Sequence, residues 1–347
     1  MSKILVTGGA GYIGSHATLA LLDAGYEVVV LDNLSSGLRE AVPPGVPLIQ
    51  GDVADAALVG RTLREHGAQA VMHFAASLIV PESVKKPLLY WRNNVGGVLG
   101  MLEGCAAAGV RHVVFSSTAA VYGIPETVPV AEDTPTRPIN PYGASKLAAE
   151  RLIADAAQAH GLGYAVLRYF NVAGADPQGR AGQRTKNATH IIKVACEAAL
   201  GIRPVVEVYG GDYPTPDGTG VRDYVHVTDL AEAHVAALGH LLAGGESLTL
   251  NCGYGRGYSV NQVLAAVQRA FNAEIPVRMG GRRPGDPPEL VAQVARIRDR
   301  LGWVPQRDDL DLIVSSALAW ERQMLAASEA SSASAGVTES LAYSGRR

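Results

Sequence analysis

The sequence predicts an α/β protein, a doubly wound parallel sheet with a smaller α/β lobe beside it. Three observations carry this. Short apolar runs alternate with helix-like stretches through the first half, glycines crowd the first strand-to-helix turn, and the texture changes near residue 171. Strands are expected at 4–7, 27–32, 71–74, 113–117 and 165–169, rich in β-branched or aromatic residues and apolar enough to need cover on both faces. Helices are expected at 13–24, 57–66, roughly 86–108 and 142–160. Each is followed by a glycine (Gly25, Gly67, Gly109, Gly161), the usual residue just past a helix end.

Beyond residue 171, segments 173–187 and 210–220 are dense in turn and polar residues and read as loops over the second lobe. A helix at 228–242 and a strand at 247–252 read as returns to the sheet. The expected division is a dinucleotide-binding domain at 1–170 with returns from about 222–252, a second lobe at 171–221 and 253–327, and a disordered tail at 328–347. At 347 residues and 48% hydrophobic content the chain can bury two cores. Its net charge of −3 offers no electrostatic footprint for nucleic acid or an anionic membrane. Cys105, Cys196 and Cys252 lack metal or redox spacing and suit a reducing, cytoplasmic location. The histidines show no ligand spacing, so no metal is expected. There is no basic and apolar leader and no run of about eighteen apolar residues, so neither secretion nor a membrane span is expected.

The segment from Thr7 through Gly14 places Gly8, Gly11 and Gly14 in a G-x-x-G-x-x-G spacing between a strand and a helix. Glycines there let backbone N–H groups approach a pyrophosphate over a positive helix end, the Rossmann-type arrangement; an ordinary structural turn is the competing reading. Asp32 closes the second strand, where a carboxylate can accept both ribose hydroxyls and repel a 2′-phosphate, favouring NAD over NADP. Asp52 and Val53, and then Phe74, Ala75 and Ala76, follow later strands and read as walls of the same crevice.

Asn140 and Pro141 are a good N-cap and first helical residue, which puts Tyr142 in a first turn with Lys146 four residues on, along the same face. A neighbouring ammonium favours phenolate, lowers the phenol pKa and makes a proton-transfer group. Alone, such a pair usually marks a surface contact. Its weight comes from the glycine turn and from Thr118, which the end of another expected strand delivers to the same crevice.

These residues together resemble the extended short-chain dehydrogenase/reductase superfamily and, within it, the UDP-galactose (UDP-glucose) 4-epimerases. The resemblance spans about residues 3–325 and rests also on segments 167–172, 211–224 and 282–286. It implies NAD as cofactor, with Gly8, Gly11, Tyr12, Ile13, Gly14, Asp32, Asn33, Asp52, Val53, Phe74, Ala75, Ala76, Asn93, Ser116, Tyr142, Lys146 and Tyr169 around it. It implies a UDP-sugar against Thr118, Tyr142, Asn171, Tyr209, Arg222, Arg283, Asp286 and Leu290. Tyr142 would take the proton of the sugar 4-hydroxyl, directly or through Thr118, while Lys146 holds ribose hydroxyls. The transient 4-keto sugar would turn about its phosphate bonds and be reduced on its other face, so UDP-glucose and UDP-galactose interconvert without net oxidation. Arg222 and Arg283 would grip the diphosphate and Asp286 a ribose hydroxyl. A homodimer is implied through the 86–108 and 142–160 helices, the latter carrying Ala148, Ala149, Leu152, Ala156 and Ala159.

The related 4,6-dehydratases carry an acid–base Asp-Glu pair after the Thr. Here Ala119 and Ala120 stand there and cannot move protons. Two departures concern the pocket: Leu78 replaces a Lys of several bacterial members, and Leu290 occupies a position that varies between Tyr and smaller residues, leaving room for an N-acetyl group. Rival readings are an epimerase of another UDP-sugar (UDP-xylose/UDP-arabinose), an NAD-sensing regulatory protein and an oxidoreductase releasing NADH. The joint presence of Tyr142, Lys146 and Thr118 speaks against the sensor.

Overall fold

The computed structural model describes residues 2–185, 188–283 and 286–344. The strands are β1 (Lys3–Thr7), β2 (Glu27–Asp32), β3 (Leu48–Gln50), β4 (Ala68–His73), β5 (His112–Ser116), β6 (Gly163–Tyr169), β7 (Asn171–Ala173), β8 (Val206–Tyr209), β9 (Val221–His226), β10 (Leu248–Cys252), β11 (Gly257–Ser259), β12 (Val277–Gly280) and β13 (Glu289–Leu290). The helices are α1 (Tyr12–Asp23), α2 (Ala56–His66), α3 (Val80–Lys85), α4 (Pro87–Tyr90), α5 (Gly97–Ala108), α6 (Pro141–His160), α7 (Ile191–Ala199), α8 (Val227–Leu242), α9 (Val260–Phe271), α10 (Ala295–Leu301) and α11 (Leu310–Ser344).

Seven parallel strands form the main sheet in the order β10-β6-β5-β4-β1-β2-β3, the doubly wound α/β class the sequence predicts. Its strands read as continuous apolar runs because successive side chains enter two different cores. Ile4, Val6, Val28 and Val30 pack on one side with α1 and α8, while Leu5, Val29 and Leu31 pack on the other with α2, α5 and α6. Burial of each such side chain stabilises the fold by about 1.5–3 kcal/mol. The second lobe is a small mixed sheet in which β9 pairs antiparallel with β11 and parallel with β13 and β7, beside the parallel pair β8–β12.

The structure departs from the sequence reading in four places. The edge strand β3 is three residues long, too short to leave a periodic signal. The helix expected at 86–108 is a series: α3 ends before Pro87, α4 follows, Trp91–Gly96 widens into π-helix, and only then does α5 begin. Proline cannot supply the N–H that would continue α3, and π-helical turns are frequent beside functional sites. The return to the main sheet is made by α8 and β10, whereas β9 pairs in the small sheet. Finally, α11 runs to Ser344 where a disordered tail was expected from 328. Its Ala, Leu and Glu are helix formers and no proline interrupts them.

Four histidines are packed inside: His16, His73, His226 and His234. Burial, which disfavours the charged ring, is the main cause that lowers His16, His226 and His234 to about 4 and His73 to about 3. An unfolded histidine titrates near 6.5, so the unfolded chain takes up protons that the native state refuses. Stability present above about pH 6.5 is therefore lost as pH falls towards 4. Urea midpoints are expected to drop steadily between pH 7.5 and 5; a flat profile there would contradict buried, neutral histidines.

Candidate active site

The parallel sheet brings the carboxyl ends of its strands to one edge, and the predicted residues gather there. β1 passes into α1 through a turn of bare backbone. Gly8 has φ +73°, and a Cβ on it would lie 2.6 Å from the Ala75 nitrogen; a Cβ on Gly14 would lie 2.2 Å from the Gly8 carbonyl oxygen. Gly11 caps α1 without any side-chain bond, so first-turn N–H groups at Tyr12 and Ile13 remain open to a ligand over the positive end of the helix dipole. This cradle fits a pyrophosphate. The Tyr12 phenol is turned away, donating to the Gly174 carbonyl at 2.6 Å.

Asp32 is buried beside the cradle, where its carboxylate accepts the N–H groups of Ala10 at 3.0 Å and Leu34 at 2.8 Å. Asn33 donates to Asp52 at 3.2 Å, and Asp52 also accepts the Ala54 N–H at 2.9 Å. Val53 is spent in the core. Phe74 leads into Ala75 and Ala76 where β4 ends, its ring 4.8 Å from that of His234. Asn93 is exposed and bonded to Ser77, whereas the neighbouring Asn94 is buried and joins Ser77 to Ser145 of α6. Ser116 donates to the Tyr169 hydroxyl at 2.9 Å.

The catalytic candidates come from β5 and α6. Asn140 caps α6 by accepting the Gly143 N–H at 2.9 Å, and Pro141 opens it. A Cβ at Gly143 would lie 2.5 Å from the Ala120 carbonyl oxygen, so the helix start presses directly on the turn after β5. That contact sets Thr118 beside Tyr142. The Thr118 hydroxyl accepts the Ala120 N–H at 3.1 Å and lies close enough to the phenol to favour its ionised form. Tyr90 meets Tyr142 edge-on at 6.4 Å.

Lys146 is 3% exposed, its Nζ 4.3 Å from the centroid of the Phe115 ring. Burial pushes its ammonium down to about 7, with the Glu150 carboxylate opposing. The expected depression of the Tyr142 pKa is not found: burial raises it, and the Thr118 hydroxyl pulls only partly back. Desolvation of the phenol is the dominant cause. His73, absent from the sequence reading, stacks on Phe115 at 5.8 Å and bonds Thr7 at 2.8 Å.

Among the residues expected on the substrate side, Arg222 and Asp286 are paired with each other. The Arg283 guanidinium lies 3.7 Å over the Tyr209 ring, and the Tyr209 hydroxyl donates to Glu207 at 2.8 Å. Asn171 opens β7 opposite Tyr224. Leu290 stands in register with Arg222 and is buried among Ala119, Tyr122 and Phe170. The long 211–224 string is largely a structural tie: Asp223 accepts N–H groups of Tyr254 at 2.9 Å, Gly255 at 2.9 Å and Ala292 at 3.2 Å. Residues 284 and 285 of the 282–286 segment lie outside the described residues. Glu150, one turn past Lys146, is a site neighbour that the sequence reading lacks, and Arg168, part of the 167–172 segment, has no role assigned there. Among the described residues, no group of three His, Cys, Asp or Glu is placed to hold a metal.

A parallel doubly wound sheet with a backbone cradle in its first turn and a buried Tyr–Lys pair nearby defines a dinucleotide-dependent enzyme of the short-chain dehydrogenase/reductase class. The chain belongs to the NAD dependent epimerase/dehydratase family, whose sequence profile matches residues 4–253. It is 60% identical to a UDP-glucose 4-epimerase of Azospirillum brasilense over 322 residues, 93% of this chain and 92% of that protein. Its structure is similar to that of the UDP-glucose 4-epimerase from Brucella ovis in complex with NAD, with TM-score 0.89 and 46% identity over 92% of this chain and 98% of that one. It is similar also to the Bifidobacterium longum UDP-glucose 4-epimerase in complex with NAD+ and UDP, with TM-score 0.88 and 38% identity over 93% and 98%.

Gly14→Val forces a side chain onto the Gly8 carbonyl and displaces the cradle. NAD binding is expected to weaken about tenfold or more, a loss of at least about 1.4 kcal/mol, by calorimetric titration, with the far-ultraviolet circular dichroism unchanged.

Proposed function

We propose that the chain interconverts UDP-glucose and UDP-galactose by reversible oxidation at the sugar C4. The observation that carries this reading is the Thr118–Tyr142–Lys146 constellation beside the glycine cradle, with proton-inert Ala119 and Ala120 where dehydration would need an acid and a base. The cradle and Asp32 would hold NAD, which would supply two-electron acceptor chemistry at the sugar C4. Tyr142 takes the 4-hydroxyl proton, with Thr118 as relay, and gives it back when the 4-keto sugar is reduced on its opposite face. The Lys146 ammonium favours the phenolate and binds ribose hydroxyls.

Residues 1–170, with the returns at about 222–252, hold the dinucleotide in this reading; 171–221 and 253–327 hold the UDP-sugar. Arg222 and Arg283 take the diphosphate and Asp286 a ribose hydroxyl, which requires the Arg222–Asp286 pair to exchange partners on binding. That a Bifidobacterium longum relative is solved in complex with NAD+ and UDP supports a uridine nucleotide as ligand of this chain. A homodimer is the proposed assembly: α4, α5 and the π-helical segment between them leave Leu88, Trp91 and Leu99 exposed, an apolar surface suited to a second copy. No helix among the described residues is long and apolar enough to cross a membrane, and a cytoplasmic location is proposed from the free thiols.

Purified protein is expected to convert UDP-galactose without added NAD, followed by a coupled UDP-glucose assay; a stoichiometric demand for NAD would instead favour a net oxidoreductase. Tyr142→Phe is expected to lower kcat by about 10²–10⁴-fold while leaving NAD and UDP affinities near wild type, as befits loss of a proton-transfer group. With Leu290 at the sugar end, slow turnover of UDP-N-acetylglucosamine is also expected, and its complete absence in parallel assays rejects that extension.

A further inference from the structure

Behind Tyr142 and Lys146 runs a buried polar chain that no step of the proposed reaction uses. Glu150 on α6 and Arg168 on β6 are each 8% exposed. Arg168 Nε donates to both carboxylate oxygens of Glu150, at 3.1 and 3.2 Å, and Nη2 adds a bond of 2.6 Å. Ser117, the neighbour of Thr118, donates its hydroxyl to the same carboxylate. On the far side, Arg168 Nη1 reaches the Tyr122 hydroxyl at 3.1 Å and the Glu132 carbonyl at 3.2 Å. Tyr122 donates in turn to Asn251 of β10 at 2.7 Å.

The chain therefore ties together the pieces that carry the reaction: the end of β5 with Thr118, α6 with Tyr142 and Lys146, and the end of β6 with Tyr169. Stability alone does not call for such a device, because well-packed apolar residues of similar volume usually serve as well as a buried ion pair. The apolar neighbours Ile153 and Val166 show that this layer otherwise follows that rule. Resting on the reading above, we propose that Glu150, clamped by Arg168 and Ser117, is a positioning residue that sets Thr118 against Tyr142 and balances the buried charge of Lys146.

The groups facing Lys146 make Glu150 the counter-charge. On α6 they are Tyr142 and Glu150; β4 offers His73, kept neutral by burial; β5 offers the Phe115 ring; β6 offers Arg168 behind Glu150, with Tyr169 on the Tyr142 side. Among these, Glu150 alone carries negative charge. Glu150→Gln removes it and leaves the Arg168 cation uncompensated. The added positive field favours phenolate at Tyr142 and disfavours ammonium at Lys146, so both titrations move to lower pH. Activity needs phenolate and ammonium together, so the whole bell-shaped profile shifts to acid. Arg168→Gln leaves a bare carboxylate and shifts the bell the other way. At an effective dielectric near 20, each shift is expected to be about one pH unit.

The test is the pH profile of kcat for wild type, Glu150→Gln, Arg168→Gln and the pair variant Glu150→Leu/Arg168→Met, with urea midpoints to establish folding. Opposite shifts in the single variants, with the pair variant back at the wild-type optimum and kcat down at least tenfold, support the proposal. Single variants with the wild-type optimum, or shifted in the same direction, overturn it. Where a single variant does not fold, the pair variant decides: wild-type kcat overturns the proposal, and a loss of tenfold or more at an unmoved optimum supports it. A wild-type protein that shows no epimerisation overturns the proposed function itself.

Discussion

An ammonium held out of water is the constraint on which the rest of the site depends. Lys146 is almost wholly buried, and taking such a charge from water costs several kcal/mol before any compensation. The fold offsets this from two directions, with the face of Phe115 from β5 and the carboxylate of Glu150 one turn along α6. Both depend on where α6 begins. Asn140 and Pro141 start the helix, and the close approach of Gly143 to the Ala120 carbonyl seats that start on the turn after β5. A helix beginning one residue earlier or later would carry Tyr142 off the face that Thr118 meets, since each residue turns the helix by about 100°.

The two ligand sides are built differently. The dinucleotide side is preformed in backbone: the glycine turn, the open first turn of α1, and Asp32 clamped by two N–H groups. Such groups have little freedom to lose on binding. The proposed substrate side uses long side chains that satisfy one another, Arg222 with Asp286 and Arg283 with Tyr209. In the proposed reading, substrate binding there exchanges these partners, whereas the cofactor side needs no such exchange.

Much of this was legible in the sequence because the signals are local. Period-two burial explains the continuous apolar strands, Asn140-Pro141 marks the start of α6, and the glycine spacing marks the cradle. Tyr142, Lys146 and Thr118 were found because strand ends and helix starts have residue-level signatures. The 86–108 stretch carries the pattern of one helix because its apolar spacing survives a local widening into π-helix. The 211–224 string was recognised, but its work as an interstrand tie through Asp223 lies in contacts far along the chain.

By itself, then, the sequence determined the class of fold, the dinucleotide cradle and the Tyr–Lys pair, all set by backbone preference and periodicity within a few residues. Only the tertiary structure decided what balances that pair. Glu150 and Arg168 are eighteen residues apart, Tyr122 and Asn251 are 129 apart, and His73 meets Thr7 across 66. The same burial that draws these groups together also reverses the expected shift at Tyr142. Desolvation is a property of the assembled core, and no spacing along the chain encodes it.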